Sequence, residues 1–324
     1  MRVLISGGAG FIGSHLTEDL LNEGHHVIVL DNFLTGRRGN MESFANHPNF
    51  EFYQHDIVEP FNGLNEPVDA IFHLASPASP VGYSRYPIET HMVNSVGTHN
   101  MLKLARQFGA KYLITSTSEA YGDPLQHPQR EDYWGNVNPV GPRSCYDESK
   151  RFAESLTMEY VRQFGMDARI VRLFNTYGPR NDPKDGRVVP NFINQALAGE
   201  PITVYGNGQQ TRSFCYVTDL IRGLKAAMFS PNTKGEVINL GNPDERTILD
   251  FAETVRRICN SDVEIVFKPG RVDDPNQRCP DISKARKLLD WQPVVSMEEG
   301  LQLTIEYFRS QAGQQQLNEK PVRS

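Results

Sequence analysis

The first 31 residues constrain the fold of this 324-residue chain more than any other stretch. Residues 2–6 are a short apolar run with β-branched members, which predicts a buried strand. The run GGAGFIG at 7–13 follows at once, and leucines at helical spacing over 14–23 predict a helix that ends at Gly24. A second strand over 26–30 leads into Asp31. Residues 2–31 are thus predicted to form a strand, a glycine-rich turn, a helix, and a second strand that ends at an acidic residue.

The positions of the glycines and of Asp31 have a physical explanation. Gly7 and Gly10 let the turn approach a pyrophosphate, and Gly13 lets the helix pack close to its strand. The helix N-terminus offers free N–H groups and a positive dipole end to phosphate. Asp31 would accept hydrogen bonds from an adenosine ribose and repel a 2′-phosphate. A glycine triplet alone is often only a tight turn, but the surrounding elements predict dinucleotide binding, with NAD favoured over NADP.

Composition excludes several other classes. The chain is 39% hydrophobic and 22% charged, which is typical of a soluble enzyme with one large domain or two coupled ones. Its net charge of -6 provides no basic surface for nucleic acid or anionic membrane. No apolar run approaches the roughly 18 residues that span a bilayer, and we expect no signal peptide, because the first strand begins at Arg2.

The cysteines and histidines show no metal-type spacing along the chain. The four cysteines are scattered, at Cys145, Cys215, Cys259 and Cys279, and the nine histidines form no cluster in the sequence. We therefore expect no metal and a reducing, cytoplasmic compartment.

Strands alternate with helices through most of the chain. Strands are predicted over 50–57, 68–75, 112–116, 168–173, 202–205, 237–240 and 263–267, and helices over 88–108, 146–163, 190–198, 217–229, 248–259 and 297–311. Residues 34–49, 77–87 and 175–187 read as loops, the first with a short helix. This pattern predicts an α/β fold, a doubly wound parallel sheet with chemistry at the strands' carboxyl ends. His73, within a strand, is interpreted as a packed core histidine.

The predicted domains follow from where this alternation weakens. Residues 1–174, with about 213–241, should form the NAD-binding domain. Residues 175–212 and 242–311 should form a smaller C-terminal substrate domain, and 312–324 a frayed, polar tail.

Tyr146 and Lys150 lie four residues apart, hence on one face of a helix. A lysine ammonium near a phenol lowers its pKa, so Tyr146 could take a proton from a substrate hydroxyl while hydride leaves to nicotinamide. Lys150 could also hold the nicotinamide ribose. By itself such a pair is usually a surface feature.

The spacing Gly-x-x-Gly-x-x-Gly resembles the extended short-chain dehydrogenase/reductase family (a Rossmann fold), many of whose members act on nucleotide sugars. Tyr146 and Lys150, about thirty residues after Thr117, are similar to that family's catalytic set. The run STSEAYG at 116–122 resembles UDP-glucuronate decarboxylases, also called UDP-xylose synthases. Other runs shared with that family are HLASPASP at 73–80, EDYWG at 131–135, GPRSCYDE at 141–148, LFNTYGPR at 173–180, DGRVV at 185–189 and QRCPDI at 277–282.

The resemblance implies a set of site residues. The implied catalytic residues are Thr117, Glu119, Tyr146, Lys150 and Arg278. The implied NAD-binding residues are Gly7, Gly10, Phe11, Ile12, Gly13, Asp31, Asn32, Phe33, Thr35, Gly36, Asp56, Ile57, Leu74, Ala75, Ser76, Asn94, Tyr146 and Lys150. The implied substrate residues are Asn175, Val189, Tyr205, Gln210, Arg212, Arg271 and Arg278. Arg212 is the first choice for the diphosphate and Arg271 the second, although both could be solvated loop arginines.

The implied reaction is oxidation at C4 of UDP-glucuronate, loss of CO2 from the 4-keto sugar, protonation at C5 and return of hydride to give UDP-xylose. Glu119 and Arg278 would orient the ring and handle the C5 proton, or they could merely pair with each other. Related 4,6-dehydratases carry Asp where this chain has Ser118, and 4-epimerases seldom carry an acid at Glu119. Many relatives carry lysines near 89–92, where this chain has none.

Two rival interpretations remain open. The nearest is a nucleotide-sugar 4-epimerase or 4,6-dehydratase, and a more distant one is an NAD-binding regulator without catalysis. The resemblance also implies a homodimer that pairs through two long helices, one of them the predicted helix over 146–163.

Overall fold

The computed structural model describes residues 1–270 and 277–318. Its elements, in chain order, are β1 (Arg2–Ser6), α1 (Phe11–Asn22), β2 (His26–Asp31), β3 (Phe50–Gln54), β4 (Ala70–His73), α2 (Pro80–Arg85), α3 (Pro87–Met92), α4 (Thr98–Phe108), β5 (Lys111–Thr117), α5 (Ser144–Phe164), β6 (Ala168–Leu173), β7 (Thr176–Tyr177), α6 (Val188–Ala198), β8 (Ile202–Tyr205), β9 (Thr211–Ser213), β10 (Cys215–Tyr216), α7 (Val217–Phe229), β11 (Val237–Leu240), β12 (Glu245–Thr247), α8 (Ile248–Cys259), β13 (Ile265–Lys268), α9 (Ser283–Leu289) and α10 (Met297–Asn318).

The main sheet within residues 1–270 and 277–318 has seven strands, all parallel, in the order β11-β6-β5-β4-β1-β2-β3. Side chains of α1 and α7, such as Leu20 and Leu224, belong to the core on one face. Side chains of α4 and α5, such as Leu102 and Ala153, belong to the core on the other. The predicted doubly wound α/β fold is confirmed. Strand order reverses between β1 and β4, which is where such sheets bind ligands.

A smaller C-terminal lobe is built from short strand pairs and helices. Strand β8 pairs with β13, and β9 pairs antiparallel with β12. Helices α6, α8 and α10 pack together around aromatic side chains, with the rings of Phe214 and Phe251 4.3 Å apart. Strand β11, by contrast, returns to the main sheet beside β6. No helix in the described part of the chain is both long and apolar enough to cross a membrane.

Several elements differ from the sequence prediction, among them short strands such as β7, which lies within the predicted loop at 175–187. Residues 77–87 were predicted to be a loop, but they contain α2, because Pro80 fits the first helical turn and the Ser79 hydroxyl accepts the Gly82 N–H. The predicted helix over 88–108 is interrupted by a π-helical turn at Val93–Gly97. Helix α10 continues to Asn318, beyond the predicted helix end at 311.

Candidate active site

The carboxyl ends of β1, β4, β5 and β6 open into one cavity of about 900 Å3 that extends into the C-terminal lobe. Most of the residues predicted to bind NAD line it. They are Gly7, Gly10, Phe11, Ile12, Gly13, Asp31, Asn32, Thr35, Gly36, Asp56, Ile57, Leu74, Ala75, Ser76, Tyr146 and Lys150. The sequence motif and the strand ends therefore form one continuous wall.

The glycine-rich turn forms a cradle that side chains would fill. Gly7 has a φ of 82°, and a Cβ there would lie 2.7 Å from Ala75 Cα. A Cβ at Gly13 would lie 2.1 Å from the Gly7 carbonyl oxygen. Helix α1 begins after Gly10 without a side-chain cap, so its first N–H groups are left for a ligand. This arrangement fits the pyrophosphate of a dinucleotide.

Asp31 is held at the end of β2 by backbone amides. Its two carboxylate oxygens accept the N–H of Ala9, at 3.0 Å, and of Phe33, at 2.8 Å. Gly36 leaves room for the carboxylate, since a Cβ there would lie 2.7 Å from Asp31 Oδ1. Burial raises the pKa of Asp31, while the two amides oppose that shift. The remaining lone pairs suit ribose hydroxyls and oppose a 2′-phosphate.

Two residues predicted to bind NAD, Phe33 and Asn94, are not among the described residues that line the cavity. The Phe33 ring packs against Phe52 at 5.2 Å, and Phe33 contributes through its amide to Asp31. Asn94 lies in the π-helical turn and donates to the hydroxyls of Ser76, at 3.1 Å, and Ser149, at 3.0 Å. Its Oδ1 is buried and has no hydrogen-bond partner among the described residues. Asn94 thus supports Ser76, which is part of the wall.

The predicted catalytic residues converge where β5 meets α5. The side chains of Thr117 and Tyr146 are hydrogen-bonded to each other. Lys150, one turn further along α5, donates to the Thr115 carbonyl at 2.9 Å. The ring of Tyr83, from α2, stacks on Tyr146 with centroids 5.2 Å apart and planes at 10°. All three predicted side chains face the cavity.

The sequence predicts that Lys150 lowers the pKa of Tyr146, but in the structure the pKa of Tyr146 is raised. Burial raises the pKa of Tyr146, and the hydrogen bond from Thr117 only partly offsets that rise. The Lys150 ammonium lies 5.9 Å from the centroid of the Tyr146 ring. Burial also lowers the pKa of Lys150 to about 7, against the opposing charge of Glu154. Desolvation, rather than the contact between the two side chains, therefore sets the direction of both pKa shifts.

His73 is a packed core residue, as predicted. It is 1% exposed, and its ring nitrogens lie 2.8 Å from the Ser6 hydroxyl and 3.0 Å from the Thr98 hydroxyl. Burial lowers its pKa to about 3, so the ring stays neutral.

Glu119 lies between two guanidinium groups, the half-buried one of Arg143 and the buried one of Arg278. Arg143, one turn before Tyr146, makes a short ion pair with Glu119, and Arg278 Nη2 lies 3.4 Å from the same carboxylate oxygen. Burial alone would raise the pKa of Glu119, but Arg278, Arg143 and Arg212 together lower it. Glu119 is therefore a carboxylate at neutral pH.

Arg278 retains unused donors. It is 2% exposed, lines the cavity, and donates to the Gly122 carbonyl at 2.9 Å. Within the described residues, its Nε and Nη1 are buried without a hydrogen-bond partner. Such donors favour an anion in the cavity beside Glu119.

Asp147 completes this charged cluster. Its Oδ2 lies 4.0 Å from Arg143 Nε, and its Oδ1 is buried without a hydrogen-bond partner in the described part of the chain. Burial, followed by the charge of Glu119, raises the pKa of Asp147 to about 7. The cluster thus contains one permanent carboxylate and one acid that titrates near neutrality.

The predicted substrate residues lie at the far end of the cavity. Those that line it are Asn175, Val189, Tyr205, Gln210, Arg212 and Arg278. Gln210 is fixed by a 2.7 Å hydrogen bond from its amide to the Tyr205 carbonyl. Arg212 is on β9 and donates to the Thr211 carbonyl at 2.8 Å. Arg271 lies outside the described residues, so its predicted role stays a prediction.

Sequence reasoning missed Tyr83, Arg143, Asp147 and Arg187. Arg143 and Asp147 belong to the GPRSCYDE run, but nothing in that run indicates that both face Glu119. Tyr83 was missed because its segment was interpreted as a loop. Arg187, next to the predicted substrate residue Val189, lines the cavity and donates to the Ala78 carbonyl at 2.7 Å.

The segment after β7 is tied to helix α1 and to Arg37. His15, on α1, lies 2.9 Å from the Pro179 carbonyl. Arg37 donates to the Arg180 carbonyl at 2.8 Å, and Arg180 pairs with Glu18 at 2.6 Å. Arg37 and Arg180 both line the cavity.

Comparison with known proteins adds independent findings. The sequence model of the family described as GDP-mannose 4,6 dehydratase matches residues 4–304. A protein named UDP-glucuronic acid decarboxylase 1, from Xenopus tropicalis, is 54% identical over 99% of this chain and 76% of its own length.

Solved structures show a similar fold. UDP-glucose 4-epimerase from Thermotoga maritima, crystallised with UDP-glucose, superposes with a TM-score of 0.88 at 33% identity, over 96% of this chain and 100% of that one. UDP-glucuronic acid 4-epimerase from Bacillus cereus, in complex with UDP-glucuronic acid and NAD, gives a TM-score of 0.84 at 32% identity over the same shares.

Proposed function

We propose a function from the premise that this chain belongs to the extended short-chain dehydrogenase/reductase family, in the group described as GDP-mannose 4,6 dehydratase. It is an NAD-dependent carboxy-lyase that converts UDP-glucuronate to UDP-xylose and regenerates NAD in each cycle. The relatives named UDP-glucuronic acid decarboxylase support this activity.

The buried guanidinium of Arg278 is the observation that carries the proposal. A neutral hexose would bring no negative charge to this guanidinium, whereas a uronate carboxylate can accept a charge-assisted hydrogen bond from one of its unpartnered nitrogens. Tyr146 and Glu119 line the same cavity as Arg278. The cavity therefore holds both the residue for oxidation at C4, Tyr146, and a cation for the C6 carboxylate, Arg278.

NAD would be held by the cradle of Gly7, Gly10 and Gly13 and by Asp31, and when bound it accepts hydride from C4 of the sugar and later returns it. Tyr146 is the residue placed to take the C4 hydroxyl proton as that oxidation proceeds. Burial raises the pKa of its phenol, so Tyr146 must first lose its own proton, and the ammonium of Lys150, one turn away, favours that loss. Thr117, hydrogen-bonded to Tyr146, then stabilises the C4 oxygen. The 4-keto group lies β to the carboxylate, so CO2 can leave with the electrons held as a C4 enolate.

Glu119 and Arg278 act after oxidation. Because the pKa of Glu119 is lowered by its arginines, the group has no proton of its own to donate near neutral pH. We propose that it positions a water molecule, or relays a proton, to C5 of the enolate. Arg278 attracts the carboxylate during binding and favours enolate formation as CO2 departs.

Incubating the purified protein with UDP-glucuronate tests the function. We expect CO2 and UDP-xylose in equal amounts, no net NADH, and deuterium at C5 when the reaction runs in D2O. UDP-galacturonate without CO2 would show a 4-epimerase instead. Accumulation of NADH equal to the substrate consumed would indicate an ordinary dehydrogenase.

Tyr146→Phe tests the base. Losing a general base should lower kcat by roughly 10²–10⁴ while UDP-sugar binding stays largely intact. Tyr160→Phe is the matched control, because Tyr160 is on the same helix and bonds His99 outside the cavity described by the structure. Near-normal turnover of Tyr146→Phe would remove this residue from the mechanism.

We also propose that the protein is a cytoplasmic homodimer. Met92 at the end of α3, Val96 in the π-helical turn and Phe152 on α5 expose 39%, 37% and 51% of their surface. Large apolar side chains at such exposure suit a helix-to-helix contact between two copies. The four cysteines are unpaired in the structure, which suits a reducing compartment. Light scattering at defined concentration tests the dimer, and a mass of one chain would exclude it.

A further inference from the structure

Three potential metal ligands converge outside the cavity lining that the structure describes. His127 precedes the segment that pairs with residues 279–281, Glu245 begins β12, and Cys279 directly follows Arg278. One ligand atom from each lies within 4.8 Å of the other two. His127 Nε2 lies 2.9 Å from Glu245 Oε2.

The donor set matches one class of ion. Imidazole nitrogen, carboxylate oxygen and thiolate sulfur are the ligands of protein zinc sites, at about 2.0–2.3 Å from the metal. Ligands around such an ion lie roughly 3.5 Å apart, so small rotations of these side chains suffice. We propose that His127, Glu245 and Cys279 form a site for Zn2+.

The surroundings hold the ligands in place. The Thr211 hydroxyl donates to Glu245 Oε1, which leaves Oε2 directed at His127. Such a partner of a ligating carboxylate is a common feature of metal sites. The backbone of Cys279 is fixed by Gln129, whose N–H donates to the Cys279 carbonyl at 2.9 Å and whose side-chain oxygen accepts the Cys279 N–H at 2.9 Å.

Charge and access also suit a divalent cation. A thiolate and a carboxylate with a neutral imidazole would balance the charge of Zn2+. Asp244 and Asp281 act electrostatically on Cys279 and make the surroundings more negative. The Pro243 carbonyl, 3.5 Å from Cys279 Sγ, or a water can occupy the fourth position. Cys279 is 6% exposed, while the His127 side chain is 36% exposed and gives the ion access.

The proposed Zn2+ site would stabilise the segments that form the substrate end of the cavity. Cys279 adjoins Arg278, whose carbonyl accepts the Ser213 hydroxyl at 3.2 Å. Glu245 is paired in register with Ser213, next to Arg212 on β9. The ion would therefore connect the two segments that present Arg278 and Arg212 to the cavity. The expectation of no metal rested on spacing in the sequence, and these ligands come from three distant segments.

Cobalt substitution tests the proposal directly. The holoenzyme, stripped with a chelator under reducing conditions, is titrated with Co2+ alone. We expect a thiolate-to-cobalt charge-transfer band in the near ultraviolet and tetrahedral d–d bands, saturating at one equivalent and lost when Zn2+ is added. Cys279→Ser should abolish the charge-transfer band.

Ligand variants give the size of the effect. Losing an outer-sphere partner costs roughly 10–100-fold in metal affinity, so Glu245→Gln and His127→Gln should each weaken Zn2+ binding by at least about tenfold. Cys259→Ser and His91→Gln are matched controls remote from the cluster, and they should bind as the parent protein does. Zn2+ should raise the Tm of the parent and controls and not of the ligand variants.

Two results would overturn the site. One is a charge-transfer band that is absent in the parent protein or persists in Cys279→Ser. The other is weak binding that none of the three substitutions changes, which would indicate an adventitious ion only. X-ray absorption at the zinc edge is measured on the unmodified protein, so its result does not depend on whether a variant folds. It should show one sulfur at about 2.3 Å, and a shell of nitrogen and oxygen alone would contradict the proposal.

Discussion

The cofactor cradle and the charged cluster at the sugar end of the cavity are built in different ways. The cradle comes from one contiguous run, and backbone atoms define it: Gly13 packs against Gly7, and amides hold Asp31. The cluster joins Glu119, Arg143 and Arg278 from separate segments, and side-chain ion pairs hold it. A backbone-built site tolerates no added atom, whereas a side-chain site depends on every charge having its partner.

The cradle can be broken by a single methyl group, and of the variants that compare the cradle with the charged cluster, this one should have the largest effect. Gly13→Ala places a Cβ 2.1 Å from the Gly7 carbonyl and 2.8 Å from Gly8 Cα, where backbone has to move. Overpacking costs typically about 1–3 kcal/mol, which corresponds to about fivefold to 150-fold in affinity if it falls on NAD binding. We expect the variant to be purified largely without NAD, as measured by absorbance and mass spectrometry after denaturation.

Gly39→Ala provides the matched control for the cradle. Its added Cβ meets only Glu42 Oε1, at 3.7 Å, which is an ordinary contact. An NAD content equal to that of the parent protein in both variants would contradict a backbone-built cradle.

The charged cluster can be broken by removing one partner. Arg143→Ala leaves Glu119 with Arg278 as its remaining ion-pair partner among the described residues, so the pKa of Glu119 should rise. We expect kcat to fall by about 10–10²-fold, with the lower limb of the pH–rate profile displaced to higher pH.

Two further variants sharpen that test. Arg143→Lys keeps the charge and should recover part of the rate, although lysine lacks the planar fork. Arg162→Ala, near the far end of α5 and paired with Glu159 on the surface, should behave as the parent protein. A parent-like pH profile for Arg143→Ala would mean that Glu119 does not depend on this arginine.

The smallest effect concerns stability and Asp147. The pKa of Asp147 is raised to about 7 from 3.8, so its contribution to stability is fully present below pH 3.8 and is lost as pH rises through 7. Asp147→Asn removes this dependence. The Tm of the variant minus that of the parent should therefore increase between pH 5 and pH 8, by on the order of a few degrees.

The exposed Asp132 gives the control for this measurement. Asp132→Asn, which removes an acid that pairs with Arg130 at the surface, should show no such increase. A Tm difference for Asp147→Asn that is constant across this pH range would exclude the titration of Asp147 near neutrality.

The contrast also explains what sequence could predict. The cradle and the strands of the sheet follow from local patterns, so Gly7, Gly13 and Asp31 were found with their chemistry. The pairing of Glu119 with Arg143 depends on how β5 meets the start of α5, and no local pattern records it. The pKa of Tyr146 was mispredicted because burial, which outweighs the spacing to Lys150, is a property of the packed fold.

The π-helical turn at Val93–Gly97 has a consequence for insertions and deletions. Such a turn holds one residue more than a regular helix would, and Asn94 lies within it. Removing one residue there would restore regular hydrogen bonding and rotate α3 by about 100° relative to α4. The π-helical turn would be gone, and Asn94 would no longer be aimed at Ser76 and Ser149. In this stretch, therefore, chain length is under tighter constraint than residue identity, and a deletion that makes the helix more regular would harm the protein.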